Sequence, residues 1–135
     1  MNSPIQAVQA PYRGDANYRT PPPDLPSLLL KERIIYLGLP LVSQDEYKDQ
    51  IGIDVTELIV AQLLYLQFDD PDKPIIMYIN STGTSWYGGD AIGFETEAFA
   101  ICDTMNYVKP PIHTICLGQA MGTAAMILAA GTKGF

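Results

Sequence analysis

The sequence predicts an α/β fold built on a mostly parallel sheet. Apolar runs of strand length alternate with longer stretches of helical periodicity, in the order strand, helix, strand, helix, strand, helix. Two of the runs, Ile75-Ile76-Met77-Tyr78-Ile79 and Ile112-His113-Thr114-Ile115-Cys116-Leu117, are almost continuously apolar, the pattern of strands covered on both faces. Both lead into loops rich in glycine and hydroxyl residues. In parallel α/β folds, chemistry lies beyond the carboxyl ends of the strands.

Residues 1–27 carry Pro4, Pro11, Pro21, Pro22, Pro23 and Pro26 and read as an extended, Pro-rich arm, because proline supplies no backbone donor. Residues 28–135 read as one domain. Its first strand is 33–37, ended by Gly38 and Pro40. Ser43 with Glu46, and Asp54 with Glu57, have capping-box spacing, and Gly52 between them is expected to break the first helix. From Val55 to about Gln67, Leu58, Ile59, Leu63 and Leu66 form an apolar stripe. Leu64 and Tyr65 widen it, so much of this helix is expected to be buried. Residues 69–74 form a turn by composition. The polar loop 80–90 follows the second strand. A helix from about Ala91 to Tyr107 comes next, with Ile92, Phe99 and Cys102 near one face, stopped by Pro110 and Pro111. The third strand leads into a helix of small residues, 122–130. The chain then ends in mid-connection, so a fragment lacking the C-terminal part of its domain is expected.

Hydrophobic residues make up 47% and charged residues 17%, a globular balance. The net charge of −7 comes without a basic stripe, which argues against nucleic acid as a partner. No apolar run approaches the roughly 18 residues of a membrane span. No secretory signal core opens the chain, which points to a cytoplasmic protein. Cys102 and Cys116 sit in apolar runs and read as buried free thiols. Dinucleotide, phosphate-loop and metal-ligand patterns are missing, so no cofactor is expected.

The turn Gly118-Gln119-Ala120-Met121-Gly122-Thr123 has the form of a hydrolase nucleophile site without its nucleophile. A tight strand-to-helix bend exposes the reacting side chain, and the helix start offers N–H groups to an oxyanion. The bend and small residues are present; the attacking atom is not. The Thr123 hydroxyl would need a base, and His113 is the only histidine. Five strand residues, roughly 16 Å, separate His113 from Gly118, whereas a nucleophile–base bond spans roughly 3 Å. His113 is therefore a strand-face residue, sharing its face with Ile115 and Leu117. The loop Asn80-Ser81-Thr82-Gly83-Thr84 either offers backbone N–H groups to an oxyanion or an extended peptide, or simply caps its strand.

These residues together resemble the proteolytic subunits of the Clp protease family. The resemblance runs in order through Leu29-Leu30-Lys31-Glu32-Arg33-Ile34-Ile35-Tyr36-Leu37-Gly38, Ala61-Gln62-Leu63-Leu64-Tyr65-Leu66, Tyr78-Ile79-Asn80-Ser81, Asp103-Thr104-Met105, Lys109-Pro110, Thr114-Ile115-Cys116-Leu117-Gly118-Gln119-Ala120 and Leu128-Ala129-Ala130-Gly131. It implies a crotonase-like superhelix of repeated β-β-α units, assembled as paired seven-membered rings. It also implies a Clp/Hsp100 ATPase partner that uses ATP and feeds unfolded proteins to a Ser-His-Asp peptidase. In the family pattern the nucleophile falls on Gly122, and Thr82-Gly83-Thr84 replaces Pro-Gly-Gly. Gly83, Thr84 and Thr123 would be remnants of an oxyanion or peptide site, with Thr84 a poor substitute wherever positive φ is required. Tyr78, Tyr107, Ile115 and Leu117 match the family's outer apolar pocket, where unfoldase loops dock. Between Trp86 and Cys102 the chain is longer than the family pattern, and the extra piece is expected over the substrate groove. The family's His and Asp lie downstream of residue 135.

These departures resemble the R-type, non-catalytic subunits of cyanobacteria and plastids. The resemblance implies a catalytically inactive ring subunit beside active paralogues, in the cyanobacterial cytosol or, alternatively, the plastid stroma. Two other readings stay open: a peptidase with a displaced nucleophile, Thr123 or Ser85, and a crotonase-type acyl-thioester enzyme.

Overall fold

Pro26 lies in the first turn of a helix, α1 (Leu25–Lys31), where a missing N–H forfeits no helical bond. The last residues of the expected extended arm are therefore helical, although α1 buries none of its side chains. The computed structural model describes residues 24–43 and 54–134; the rest of the arm, Glu46 and Gly52 lie outside them.

Strands β1 (Ile34–Leu37), β2 (Ile75–Ser81) and β3 (Ile112–Ala120) form a parallel sheet in the order β1-β2-β3. The crossovers contain helices α2 (Val55–Asp69) and α3 (Glu95–Tyr107), and α4 (Thr123–Ala129) follows β3. Asp54 caps α2 by accepting a hydrogen bond from the Glu57 N–H, as the spacing predicts.

β2 alternates strictly between buried and half-buried residues. Ile75, Met77 and Ile79 turn toward a core shared with Ile35 and Leu37 of β1, Ile59, Leu63 and Leu66 of α2, Ala98 and Ile101 of α3, and Ala124 and Ile127 of α4. The opposite sheet face carries two rows set by the register, Ile34–Ile76–His113 and Tyr36–Tyr78–Ile115. His113 thus stands on the strand face expected for it. That face is not covered as continuously apolar strands predict: Tyr36, Ile115 and Leu117 are exposed.

Three further expectations change. Leu58, Leu64 and Tyr65 of α2 are exposed, as is Phe68 at 90%. The helix buries only the narrower stripe of Val55, Thr56, Ile59, Leu63 and Leu66. The helix expected from Ala91 begins at Glu95, because the preceding residues bond back to the loop after β2. Its buried face is consequently Ala98, Ile101, Cys102 and Met105, leaving Phe99 exposed. Cys102 is a buried free thiol and Cys116 an exposed one.

Arg33 joins the sheet to the α2–β2 turn. Its backbone adopts φ 64, and its guanidinium donates to the carbonyls of Asp70, Lys73 and Pro74 and to the Asp69 carboxylate. The side chain is 10% exposed, and the Asp69 carboxylate is 54% exposed, so the carbonyl bonds matter more than the ion pair.

Candidate functional site

The carboxyl end of β3 is re-aimed by an irregularity in the ladder. Ile79 pairs with Cys116 but Ser81 pairs with Ala120, so β3 carries extra residues around Gly118. Gly118 has φ 85, with the Asn80 side chain close against it. The strand then turns into α4 through Gly122, at φ 55 and ψ −122. A side chain here would project into open space, since a Cβ on Gly122 meets nothing within 4 Å. The bend therefore has the exposed backbone of a nucleophile turn, in a conformation glycine adopts without strain, while offering no reactive atom.

The loop after β2 packs directly on this turn. Ser81 Oγ donates to the Leu39 carbonyl and accepts from the Gly83 N–H, and the Ser81 carbonyl accepts from the Met121 N–H. Gly83, at φ 69, fits between these elements; a Cβ there would lie 2.6 Å from Thr123 Oγ1 and 2.7 Å from the Met121 carbonyl oxygen. Positive φ thus falls on Gly83 and not on Thr84, so the strain expected of a β-branched residue at Thr84 does not arise.

Thr84 and Thr123 meet, as the sequence expects of a two-loop site, but they satisfy one another. The Thr84 N–H donates to Thr123 Oγ1 at 3.0 Å, and the Thr123 hydroxyl lies 3.3 Å from Thr84 Oγ1. The Thr84 carbonyl accepts from the N–H groups of Ile92 and Gly93. Thr84 is buried at 8% exposure.

The chain after Thr84 forms a small hairpin. Ser85 bridges Ala91 in antiparallel fashion, and the Trp86 N–H bonds the Asp90 carbonyl. From its exposed tip, Tyr87 Oη accepts a 2.6 Å bond from Gln119 Nε2, tying the hairpin to the nucleophile turn. Ser43, whose expected capping partner Glu46 lies outside the described residues, bonds to this region: its hydroxyl accepts from the Phe94 N–H and donates to Glu97, fixing the start of α3. No local spacing signals either contact, since each joins residues far apart in sequence.

The apolar pocket residues divide between two surfaces. Tyr78, Ile115 and Leu117 stand on the sheet face turned from the core, whereas Tyr107, 74% exposed, ends α3 on the core side. Among the described residues no group of His, Cys, Asp and Glu is placed to hold a metal ion, and no helix is long and apolar enough to cross a membrane.

A sequence profile described as Clp protease matches residues 22–135. The chain belongs to the Clp protease family. It is 78% identical over 134 residues, 99% of the chain, to a protein of Synechococcus elongatus named as ATP-dependent Clp protease proteolytic subunit-like. It is 48% identical over 134 residues to the Arabidopsis thaliana chloroplastic Clp protease proteolytic subunit-related protein 3, spanning 38% of that protein. The chain spans 59% of the Synechococcus relative's length. Among solved structures, a Plasmodium falciparum peptidase matches 81% of this chain and 55% of its own, with a TM-score of 0.69 and 38% identity. The fold is thus the ClpP-like α/β fold that the sequence motifs imply.

Proposed function

We propose that this chain is a catalytically inactive subunit of an ATP-dependent Clp protease core. It assembles with active serine-peptidase paralogues into a seven-membered ring that degrades proteins unfolded by a Clp/Hsp100 ATPase. The carrying observation is Gly122: a nucleophile-type bend with open space where a side chain would stand.

Two features of the surface support assembly. Among the exposed apolar residues, Tyr36, Ile115 and Leu117 share the sheet face and Leu64, Tyr65 and Phe68 lie on α2. Two different apolar faces suit a heterologous, head-to-tail contact, the kind that closes into a ring. The docking role of Tyr78, Tyr107, Ile115 and Leu117 fits that arrangement if neighbouring copies complete each pocket. The cyanobacterial and chloroplastic relatives favour the cytosol of a cyanobacterium, with the plastid stroma as the alternative.

The other readings gain no support from the geometry. A displaced nucleophile at Thr123 would have to release a hydroxyl already engaged with Thr84. An acyl-thioester enzyme needs a free pair of N–H donors, and that of Thr84 is taken.

The test is a fluorogenic-peptide assay of the full-length subunit purified without its paralogues. We expect no turnover. Turnover abolished by Thr123→Ala would overturn the proposal.

A further inference from the structure

We infer that Thr123 seals the oxyanion position of this site, so that the chain is closed to an acyl substrate by a second element independent of the missing nucleophile. The inference rests on the reading of Gly122 as a vacant nucleophile position and deepens it.

An acyl group can be held at such a turn only if backbone N–H groups are free to meet its developing negative charge. The available donors lie at the start of α4 and in the loop after β2. In the loop, the Gly83 N–H is bound by Ser81 Oγ at 3.0 Å and the Thr84 N–H by Thr123 Oγ1 at 3.0 Å. Thr123 supplies the stopper from the first residue of α4, next to Gly122. Its position is held from below: Gly83 leaves no room for a Cβ beside Thr123 Oγ1 or the Ala124 nitrogen.

The acceptors that an extended peptide would use are occupied as well. The Gly83 carbonyl takes the Leu41 N–H, and the Thr84 carbonyl takes the N–H groups of Ile92 and Gly93. The returning arm of the hairpin, at Ile92 and Gly93, therefore bonds to the loop in the place of a bound strand, and Gln119 ties the hairpin tip down through Tyr87. A serine restored at Gly122 would have space, but its substrate's carbonyl oxygen would find the Thr84 donor already satisfied.

The experiment uses the full-length subunit in a ring with its active paralogue, carrying Gly122→Ser alone or combined with Thr123→Ala or Thr123→Ser. The probe is a fluorophosphonate, whose fluoride is displaced by an activated serine oxygen; subunits are resolved by mass. A parallel measurement follows hydrogen exchange at the Thr84 amide in wild type, Thr123→Ala and Thr123→Ser. We expect Thr123→Ala to speed exchange at Thr84 about ten-fold, the loss of one hydrogen bond, while Thr123→Ser keeps protection. We also expect Gly122→Ser/Thr123→Ala to label faster than Gly122→Ser, with Gly122→Ser/Thr123→Ser as slow as the latter. Labelling of all three at one measurable rate, or Thr84 exchange unchanged by Thr123→Ala, would overturn the seal. If no variant labels, exchange at Thr84 decides alone. A stable adduct on the unaltered subunit would instead defeat the reading of Gly122 and leave the seal standing or falling by the exchange result.

Discussion

Thr84 and Thr123 are 39 positions apart in sequence, yet the backbone N–H of the first donates to the hydroxyl of the second at 3.0 Å. This bond joins the loop after β2 to the start of α4, the two places where a ClpP-like fold would do chemistry. It converts a site that could meet a substrate into one whose polar groups meet each other. The glycines on either side of it predict how firmly the arrangement is held.

Gly83 and Gly122 both have positive φ, but only Gly83 is enclosed. Gly122→Ala is expected to cost about 1–2 kcal/mol through backbone strain alone. Gly83→Ala adds a collision with Thr123 Oγ1 and the Met121 carbonyl, so its cost should exceed that of Gly122→Ala by at least about 1 kcal/mol. Denaturant titration of the full-length variants measures the difference; equal midpoints would contradict the packing described.

The exposed residues of α2 should matter to assembly more than to folding. Leu63→Ala removes a fully buried side chain and is expected to cost about 2–5 kcal/mol. Phe68→Ser, at a position 90% exposed, should change the stability of the unassembled subunit by no more than about 0.5 kcal/mol. The same substitution should reduce ring formation with the paralogues, read by analytical ultracentrifugation. Undiminished assembly would remove α2 from the contact.

Arg33 is expected to be among the most sensitive positions outside the apolar core. Arg33→Ala leaves the carbonyls of Asp70, Lys73 and Pro74 without the guanidinium that bonds them. A loss of about 3 kcal/mol is expected, little reduced by salt because the exposed Asp69 contributes little. Thermal melts at low and high ionic strength check both parts.

Burial raises the Cys102 thiol above its ordinary value of 9.0, helped by the negative charge of Asp103. The folded thiol stays neutral where the unfolded one ionises, so the unfolded state gains as pH rises past that ordinary value. Ionisation of Cys102 should therefore leave stability unchanged at pH 7 and lower it above pH 9.0, and Cys102→Ala should flatten that fall. At pH 8, alkylation of Cys102 should follow global unfolding in denaturant; rapid modification of the folded protein would contradict its burial.

Much of this was readable in the residues. The alternation of strands and helices, the turn at Gly118–Gly122 and the cap at Asp54 depend on local chemistry and near neighbours, which the sequence displays directly. The exposed rows of the sheet and of α2 are not readable, because an exposed apolar residue has the same sequence pattern as one facing a core. Thr84 stands out in the sequence as a β-branched residue at a glycine position, but the condition that would strain it, a positive φ, is absent. Its φ is ordinary, and its significance lies in a hydrogen bond to Thr123 that only the folded chain creates. The start of α3 differs from the expected one for a related reason: Ile92 has helical spacing from its neighbours, but its N–H donates to the Thr84 carbonyl.

The most direct measurement is fluorophosphonate labelling of the unaltered full-length subunit within a ring containing its active paralogues. We expect the paralogues to become labelled and this subunit to remain unmodified, because Gly122 has no attacking atom and Thr123 is engaged with Thr84. A stable adduct on this chain, mapped to Thr123 or Ser85, would contradict that result and make it a peptidase in its own right.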